Sequence, residues 1–357
     1  MGDMSRRLVG QVKNAASTET GLNIVGRGTK EFMGRMPAGQ AINVVEHSGV
    51  IEYLPVELVI TARAGTSLEE IVATLDEHDQ MLAFEPPTFS GRASIGGTLA
   101  CNLSGPARPW SGGIRDSLLG LRMINGKGEH LKFGGKVMKN VAGYDASRLQ
   151  AGAMGSLGVI TEVSLKVVPK PAARATVVQQ MDIVEGISAM NQAAGKHSTL
   201  SGACWLDEKV YLRFSGARSS IDQATSKSSG EILENDDEFW QALREMRLDF
   251  FNRPGVLWRF SVKSTAALFR GQADWLIDWA GALRWLHLPP DASDSGRASI
   301  EQAATSAGGQ AMLFRGGDRS EEVFHTQKDV AKKIHRRLKS AFDPHGLFNR
   351  GRLYSWL

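Results

Sequence analysis

Only two of the 357 residues are cysteine, Cys101 and Cys204. Two thiols make no disulfide framework, which points to a reducing compartment. They also fall short of the roughly four ligands that an iron–sulfur cluster takes. The eight histidines are scattered, with no H-E-x-x-H and no close pair, so no metal site is expected. No apolar run approaches the roughly 18 residues of a membrane span, and 1–17 lacks the apolar stretch of a signal peptide. These absences point to a cytoplasmic chain that reaches an inner membrane, if at all, through partners. The G-x-G-x-x-G fingerprint and the Walker A loop are both missing. Charge is nearly balanced, 42 Lys and Arg against 38 Asp and Glu. The one basic run, Lys332-Lys333 with Arg336-Arg337, reads as a solvated helix face rather than a nucleic-acid patch.

What the chain has is glycine, 39 in all, with a dense group between Gly91 and Gly158. They fall in separate knots: Gly96-Gly97, Gly105, Gly112-Gly113, Gly134-Gly135, Gly143, then Gly152, Gly155 and Gly158. Without a Cβ, such backbone approaches a ligand closely and offers its N–H groups. An earlier loop, Gly26-Arg27-Gly28-Thr29-Lys30, adds two cations and follows apolar Ile24-Val25. Successive N–H groups in such a turn suit an anion, although an ordinary surface turn has the same composition. Pro86-Pro87 stiffen the approach to a second knot, where Thr98, Asn102 and Ser104 offer hydrogen bonds. A third knot holds Arg115-Asp116 and Lys139-Asn140-Val141-Ala142-Gly143-Tyr144-Asp145. Tyr144 suits a core position as well as a stacking contact. Together the knots suggest a long ligand with phosphate at one end, held by several loops.

Apolar patterning predicts strands over 42–50 and 57–62, then a helix capped by Ser67 and Glu70 with Leu68, Ile71, Val72 and Leu75 on one face. Asn125-Gly126 predicts a hairpin, and 158–167 a long strand closed by Pro169 and Pro171. A composition shift puts a domain boundary near Lys170. Beyond it, strands over 175–180, 203–206, 210–214, 256–262, 282–288 and 311–314 mix with helices over 183–194, 239–250 and 300–307. The last helix carries Val330, Ile334 and Leu338 and stops before Pro344. The fold class is α+β.

The order of these knots resembles the vanillyl-alcohol oxidase/p-cresol methylhydroxylase family of FAD proteins. The resemblance rests on Pro86-Pro87, Gly96-Gly97-Thr98, Arg115-Asp116, the 139–145 string, Gly155-Ser156-Leu157-Gly158-Val159-Ile160-Thr161-Glu162 and the tail from Phe342 to Arg352. These strings are similar to those of the smaller flavin subunits of glycolate-oxidising complexes. The resemblance implies an FAD-binding domain of two α+β lobes over 1–170, an α+β cap over 171–329 that lies over the flavin, and a tail, 330–357, returning to the first domain. It places the pyrophosphate at Arg27, Gly28, Thr29 and Lys30, and the flavin along Gly96, Gly97 and Thr98. It places the adenine end at Gly158, Val159 and Ile160, with Pro86, Pro87, Asn102, Ser104, Gly105, Arg115, Asp116, Asn140, Gly143 and Tyr144 supporting. The 26–30 loop has no histidine for covalent attachment, so FAD is expected to bind non-covalently. The implied activity is oxidation of glycolate to glyoxylate, with electrons passed to a larger flavin subunit and an iron–sulfur subunit. Three alternatives stay open: a self-sufficient FAD-dependent 2-hydroxy-acid or alcohol dehydrogenase, a non-catalytic flavin-holding or scaffold subunit, and a phosphate-binding module without redox chemistry. In a self-sufficient enzyme, Arg213, Arg259 and Arg315 on apparent cap strands are candidates for a carboxylate clamp. No catalytic base is assigned.

Overall fold

A computed structural model describes residues 2–135, 145–269, 274–290 and 296–357. Asn140, Gly143 and Tyr144 therefore lie outside the described residues. The chain divides into two compact units. The first takes in 1–103, 113–169 and 318–357, and the second 104–112 and 170–317. Two expectations are corrected here. The 104–112 segment groups with the second unit, and the return to the first begins at Asp318 rather than at 330.

The first unit is built on a five-stranded antiparallel sheet in the order Val50–Leu54, Val59–Arg63, Val159–Lys166, Leu118–Ile124, His130–Gly134. The Leu68–Asp76 helix packs on it. Ser67 caps the start by accepting from the Glu70 N–H at 3.1 Å, and Leu68, Ile71 and Leu75 are wholly buried. Val72, expected on that face, is instead 38% exposed. A second core joins the Ser5–Ser17 helix, unrecognised in the sequence, to Leu22, Ile42, Ile124, Val159 and Phe348. The two cores make two lobes on one unit.

The single strand expected over 42–50 is two pieces, Gln40–Asn43 in a small parallel pair with Leu22–Val25, and Val50–Leu54 in the main sheet. The chain between them wraps over Gly65, where a Cβ would come within 2.4 Å of the Val44 carbonyl oxygen. The knot at Ser94 is a helix, Ile95–Cys101. Ser94 caps it, and Asn102 ends it in the left-handed conformation, φ 52°. The Asn125-Gly126 hairpin has a longer loop than a two-residue turn. The Asn125 side-chain oxygen accepts from the N–H groups of both Lys127 and Glu129.

The second unit holds an eight-stranded antiparallel sheet. Leu200–Leu206 and Lys209–Gly216 form the expected hairpin, with Asp207 and Glu208 both at positive φ, 48° and 57°. Asp274–Asp278, between Leu200–Leu206 and Leu283–Leu288 in the sheet, was not recognised in the sequence. The helix expected over 239–250 breaks into Asp236–Arg244 and Asp249–Asn252, with Met246 between them at φ 56°.

The Asp329–Phe342 helix does not bury its apolar face: Val330 is 71% and Ile334 52% exposed. It buries Lys339 instead. The Lys339 ammonium donates to the carbonyls of Ser156 and Phe348 and to Asp343 Oδ2, each at 2.7 Å. The buried Asp343 carboxylate in turn accepts from the N–H groups of Leu347 and Phe348. Removing one member of such a pair leaves an uncompensated buried charge. Lys339→Met should therefore lower unfolding free energy by about 3–5 kcal/mol in urea titrations, and adding Asp343→Asn should recover part of the loss. A single variant with wild-type stability would show that the tail does not depend on this pair.

Candidate functional site

The Leu22–Val25 strand delivers the 26–30 loop to a cleft in the first unit. Its geometry is set from the far end of the chain. Asn349 accepts from the Ile24 N–H at 2.7 Å and donates to the Met154 carbonyl at 2.6 Å. One amide thus ties the loop entry, the 152–158 turn and the tail together. Arg352 donates to the carbonyls of Glu31, at 3.0 Å, and Arg35. Arg27 donates to the Gly65 carbonyl at 3.3 Å. Lys30 is buried, with its ammonium 3.4 Å from Thr29 Oγ1 and 5.1 Å from the Phe89 ring centre.

The cleft wall carries Arg27, Lys30 and Arg352 against one carboxylate, Glu31. Burial lowers the pKa of Arg352, with Cys101 and Glu31 opposing. Burial also raises the Cys101 thiol pKa, partly offset by Lys30 and Arg352. The excess of positive charge in a half-enclosed cleft suits an anion. Among the described residues, the backbone N–H groups of Arg27, Gly28 and Thr29 have no protein acceptor. The helix beginning at Ile95 is different: its first N–H groups are taken by Thr66, Ala64 and Ser94. Of the two, the 26–30 loop is the one with backbone donors left over among the described residues.

The glycines sort into two kinds. At Gly96 a Cβ would lie 2.6 Å from the Ala64 Cβ; at Gly155, 2.7 Å from Asn349 Nδ2; at Gly158, 2.6 Å from the Ile124 carbonyl oxygen. Those three are glycine because the protein packs against them. At Gly26 and Gly97 a Cβ would meet only Ser94 Oγ, at 3.4 and 3.2 Å, and at Gly28 only the end of Glu31. Gly28 also has φ 72°. The open glycines face a cradle that fits an elongated, flat, phosphate-bearing group.

Of the residues proposed from sequence, the structure gathers Arg27, Gly28, Thr29, Lys30, Gly96, Gly97, Gly158 and Ile160 around this cleft. Asn140, Gly143 and Tyr144 lie outside the described residues, and the rest lie away from the cleft wall. Thr98 is buried and bonds back to the Ser94 carbonyl. Asn102 caps its helix, and Val159 points into the other core. Pro86 and Pro87 are buried away from the cleft wall. Arg115 is exposed, and exposed Asp116 accepts from the Gly113 N–H to start a short helix. Ser104 and Gly105 belong to the second unit. Cleft residues not proposed from sequence include Ser94, Cys101, Met154, Gly155, Asn349 and Arg352. The two cations beside glycine in the tail were the available signal for Arg352.

Residues 7–134 match the FAD binding domain family. Over 355 residues, 99% of each chain, the sequence is 44% identical to glycolate oxidase subunit GlcE of Escherichia coli. It belongs to this family of FAD-binding glycolate oxidase subunits. Glycolate oxidase subunit GlcD of Bacillus subtilis is 28% identical over 62% of this chain and 47% of its own length. The structure of p-cresol methylhydroxylase with substrate bound superimposes with TM-score 0.73 at 13% identity, covering 99% of this chain and 88% of the other. Alkyldihydroxyacetonephosphate synthase superimposes at TM-score 0.67 and 16% identity, over 96% and 74%. The chain is thus an α+β flavoprotein of the p-cresol methylhydroxylase type, with FAD as its cofactor.

The sorting of the glycines predicts a contrast. Gly97→Val fills open cleft and should lower the flavin-to-protein ratio while leaving circular dichroism and melting nearly unchanged. Gly28→Val should lose flavin as well, and should also lose about 1–3 kcal/mol because a β-branched residue is strained at positive φ. Full flavin occupancy in both variants would show that the cradle lies elsewhere.

Proposed function

We propose that this chain is the FAD-binding subunit of a complex that oxidises glycolate to glyoxylate and passes the electrons to partner subunits. The observation that carries the reading is the end-to-end identity with a glycolate oxidase subunit, joined to a cleft with three cations and open glycines. In this reading the N–H groups of Arg27, Gly28 and Thr29 hold the FAD pyrophosphate, with charge from Arg27, Lys30 and Arg352. Gly97 leaves room for the flavin side, and Gly158 and Ile160 face the adenine end. FAD supplies the hydride-accepting chemistry, and the protein supplies binding, orientation and electrostatics. No attachment residue stands in the 26–30 loop, so the cofactor is held non-covalently.

Partners follow from what the chain carries. Its two cysteines, both free, cannot ligate an iron–sulfur cluster, so an iron–sulfur subunit takes the electrons onward beside a larger flavin subunit. Among the described residues, no helix is long and apolar enough to cross a membrane. Cytoplasmic placement with peripheral attachment through partners is the corresponding proposal. Histidines of the second unit are engaged in its own packing. His197 sits edge-on to Phe214, and His287 lies 3.1 Å from the Pro254 carbonyl oxygen and 3.4 Å from Asp274. With both histidines held by such contacts, the reading assigns neither as the base that takes a hydroxyl proton from substrate, which must come within about 2.6–3.2 Å.

Two measurements test the proposal. Acid precipitation of the purified protein should release yellow flavin to the supernatant; flavin held in the pellet would contradict non-covalent binding. Anaerobic mixing of the FAD-loaded chain with glycolate should bleach the flavin band slowly, and adding the larger flavin subunit should accelerate it. Bleaching of the isolated chain as fast as the whole complex turns over would overturn the dependence on partners.

A further inference from the structure

The second unit holds an arrangement that its own packing does not explain. Trp279 occupies the turn between Asp274–Asp278 and Leu283–Leu288, and both it and Ala280 are held in the left-handed region, φ 53° and 52°. Such strain persists only where the surroundings impose it. The indole is buried, and its N–H donates to the Gly105 carbonyl at 3.0 Å. Two guanidinium groups lie against that ring: Arg108 at 4.7 Å and Arg259 at 5.2 Å from its centre. Arg259 also lies 5.7 Å from the Trp285 ring. Among the described residues neither side chain has a hydrogen-bond or ion-pair acceptor. Burial and the Arg108 charge press the Arg259 pKa down to about 10, against an opposing pull from Asp278. Immediately before Gly105, Ser104 has a buried hydroxyl with no hydrogen-bond partner among the described residues.

The neighbouring arginines show how unusual this is. Arg213 donates to the Ser201 hydroxyl and carbonyl and stacks on Trp240. Arg315 donates to the Phe251 carbonyl at 3.0 Å. Both are committed to the protein. Arg108 is exposed and Arg259 half-buried, so two like charges beside one indole present N–H forks that an anion from solvent can reach. A guanidinium fork matches the two oxygens of a carboxylate.

We infer that Arg108 and Arg259, with Trp279 as their platform, form a binding site for a small carboxylate anion in the second unit. The site depends on the glycolate reading only for which acid occupies it. Ser104 supplies a further hydrogen bond to the same anion.

The test uses the full FAD-loaded chain with acetate, glycolate, neutral ethylene glycol and sulfate at matched ionic strength, followed by calorimetry and thermal melting. Acetate and glycolate should bind and raise the melting temperature, whereas ethylene glycol should do neither. Arg108→Met and Arg259→Met should each weaken acetate about tenfold or more, the scale of a lost charge-assisted hydrogen bond. Without anion, Arg259→Met should melt at or above the wild-type temperature, because it removes a repelled cation. Arg213→Met, by contrast, should melt lower and keep acetate affinity. Sulfate binding as tightly as acetate would overturn the carboxylate assignment. Unaltered acetate affinity in Arg259→Met would show that this arginine serves packing alone. If acetate binds through both arginines but glycolate never reduces the flavin, even with the partner subunit, the site stands and the glycolate reading fails. If acetate affinity is unchanged in both Arg108→Met and Arg259→Met while glycolate still reduces the flavin with the partner subunit present, the site fails and that reading stands.

Discussion

A single buried ammonium holds the first unit in its working shape. Lys339 satisfies all three of its N–H bonds inside the protein, to Ser156, Asp343 and Phe348. Burial lowers its pKa, and the Asp343 carboxylate opposes that shift. Each oxygen belongs to a different feature: the 152–158 turn, the end of the helix and the tail. Because an ammonium in the interior must be paired, the three cannot separate without exposing a charge. The tail is thereby fixed one residue before Asn349, whose amide then reaches both Ile24 and Met154. The cleft is closed by chain ends that meet in space.

The cleft shows a division of labour among glycines. Gly96, Gly155 and Gly158 let strands and helix approach each other. Gly26, Gly28 and Gly97 keep space open. Equal chemistry therefore serves two ends, and only the neighbouring atoms tell them apart. The helix at Ile95 spends its first N–H groups on Thr66, Ala64 and Ser94, so it positions the wall, while among the described residues the 26–30 loop leaves the N–H groups of Arg27, Gly28 and Thr29 without a protein acceptor.

The second unit uses charge in the opposite way to Lys339. There, one cation finds three oxygens and becomes a clamp. Beside Trp279, two guanidinium groups share a ring without an acceptor among the described residues. Fully paired polar groups specify a structure, whereas unpaired ones are tolerated where function needs them.

Local pattern carried much of this protein in its sequence. The Ser67 cap with Leu68, Ile71 and Leu75, the Asp207-Glu208 hairpin and the 159–166 strand were legible because spacing and turn chemistry act over a few residues. The 26–30 loop announced itself by glycine beside cations. The family strings marked an FAD protein, although some of the residues that the resemblance placed at the site, such as Asp116 and Asn102, cap helices rather than line the cleft. Tertiary structure alone decided which glycines face open space and which of Arg213, Arg259 and Arg315 is uncommitted. It alone brought Asn349 to Ile24 across 325 residues of sequence. The physical reason is range: propensity and periodicity report what a segment buries, whereas a hydrogen bond between distant segments depends on how the whole chain closes. The exposed Val330 and Ile334 show the same limit, since a helical apolar face names a surface but not what covers it.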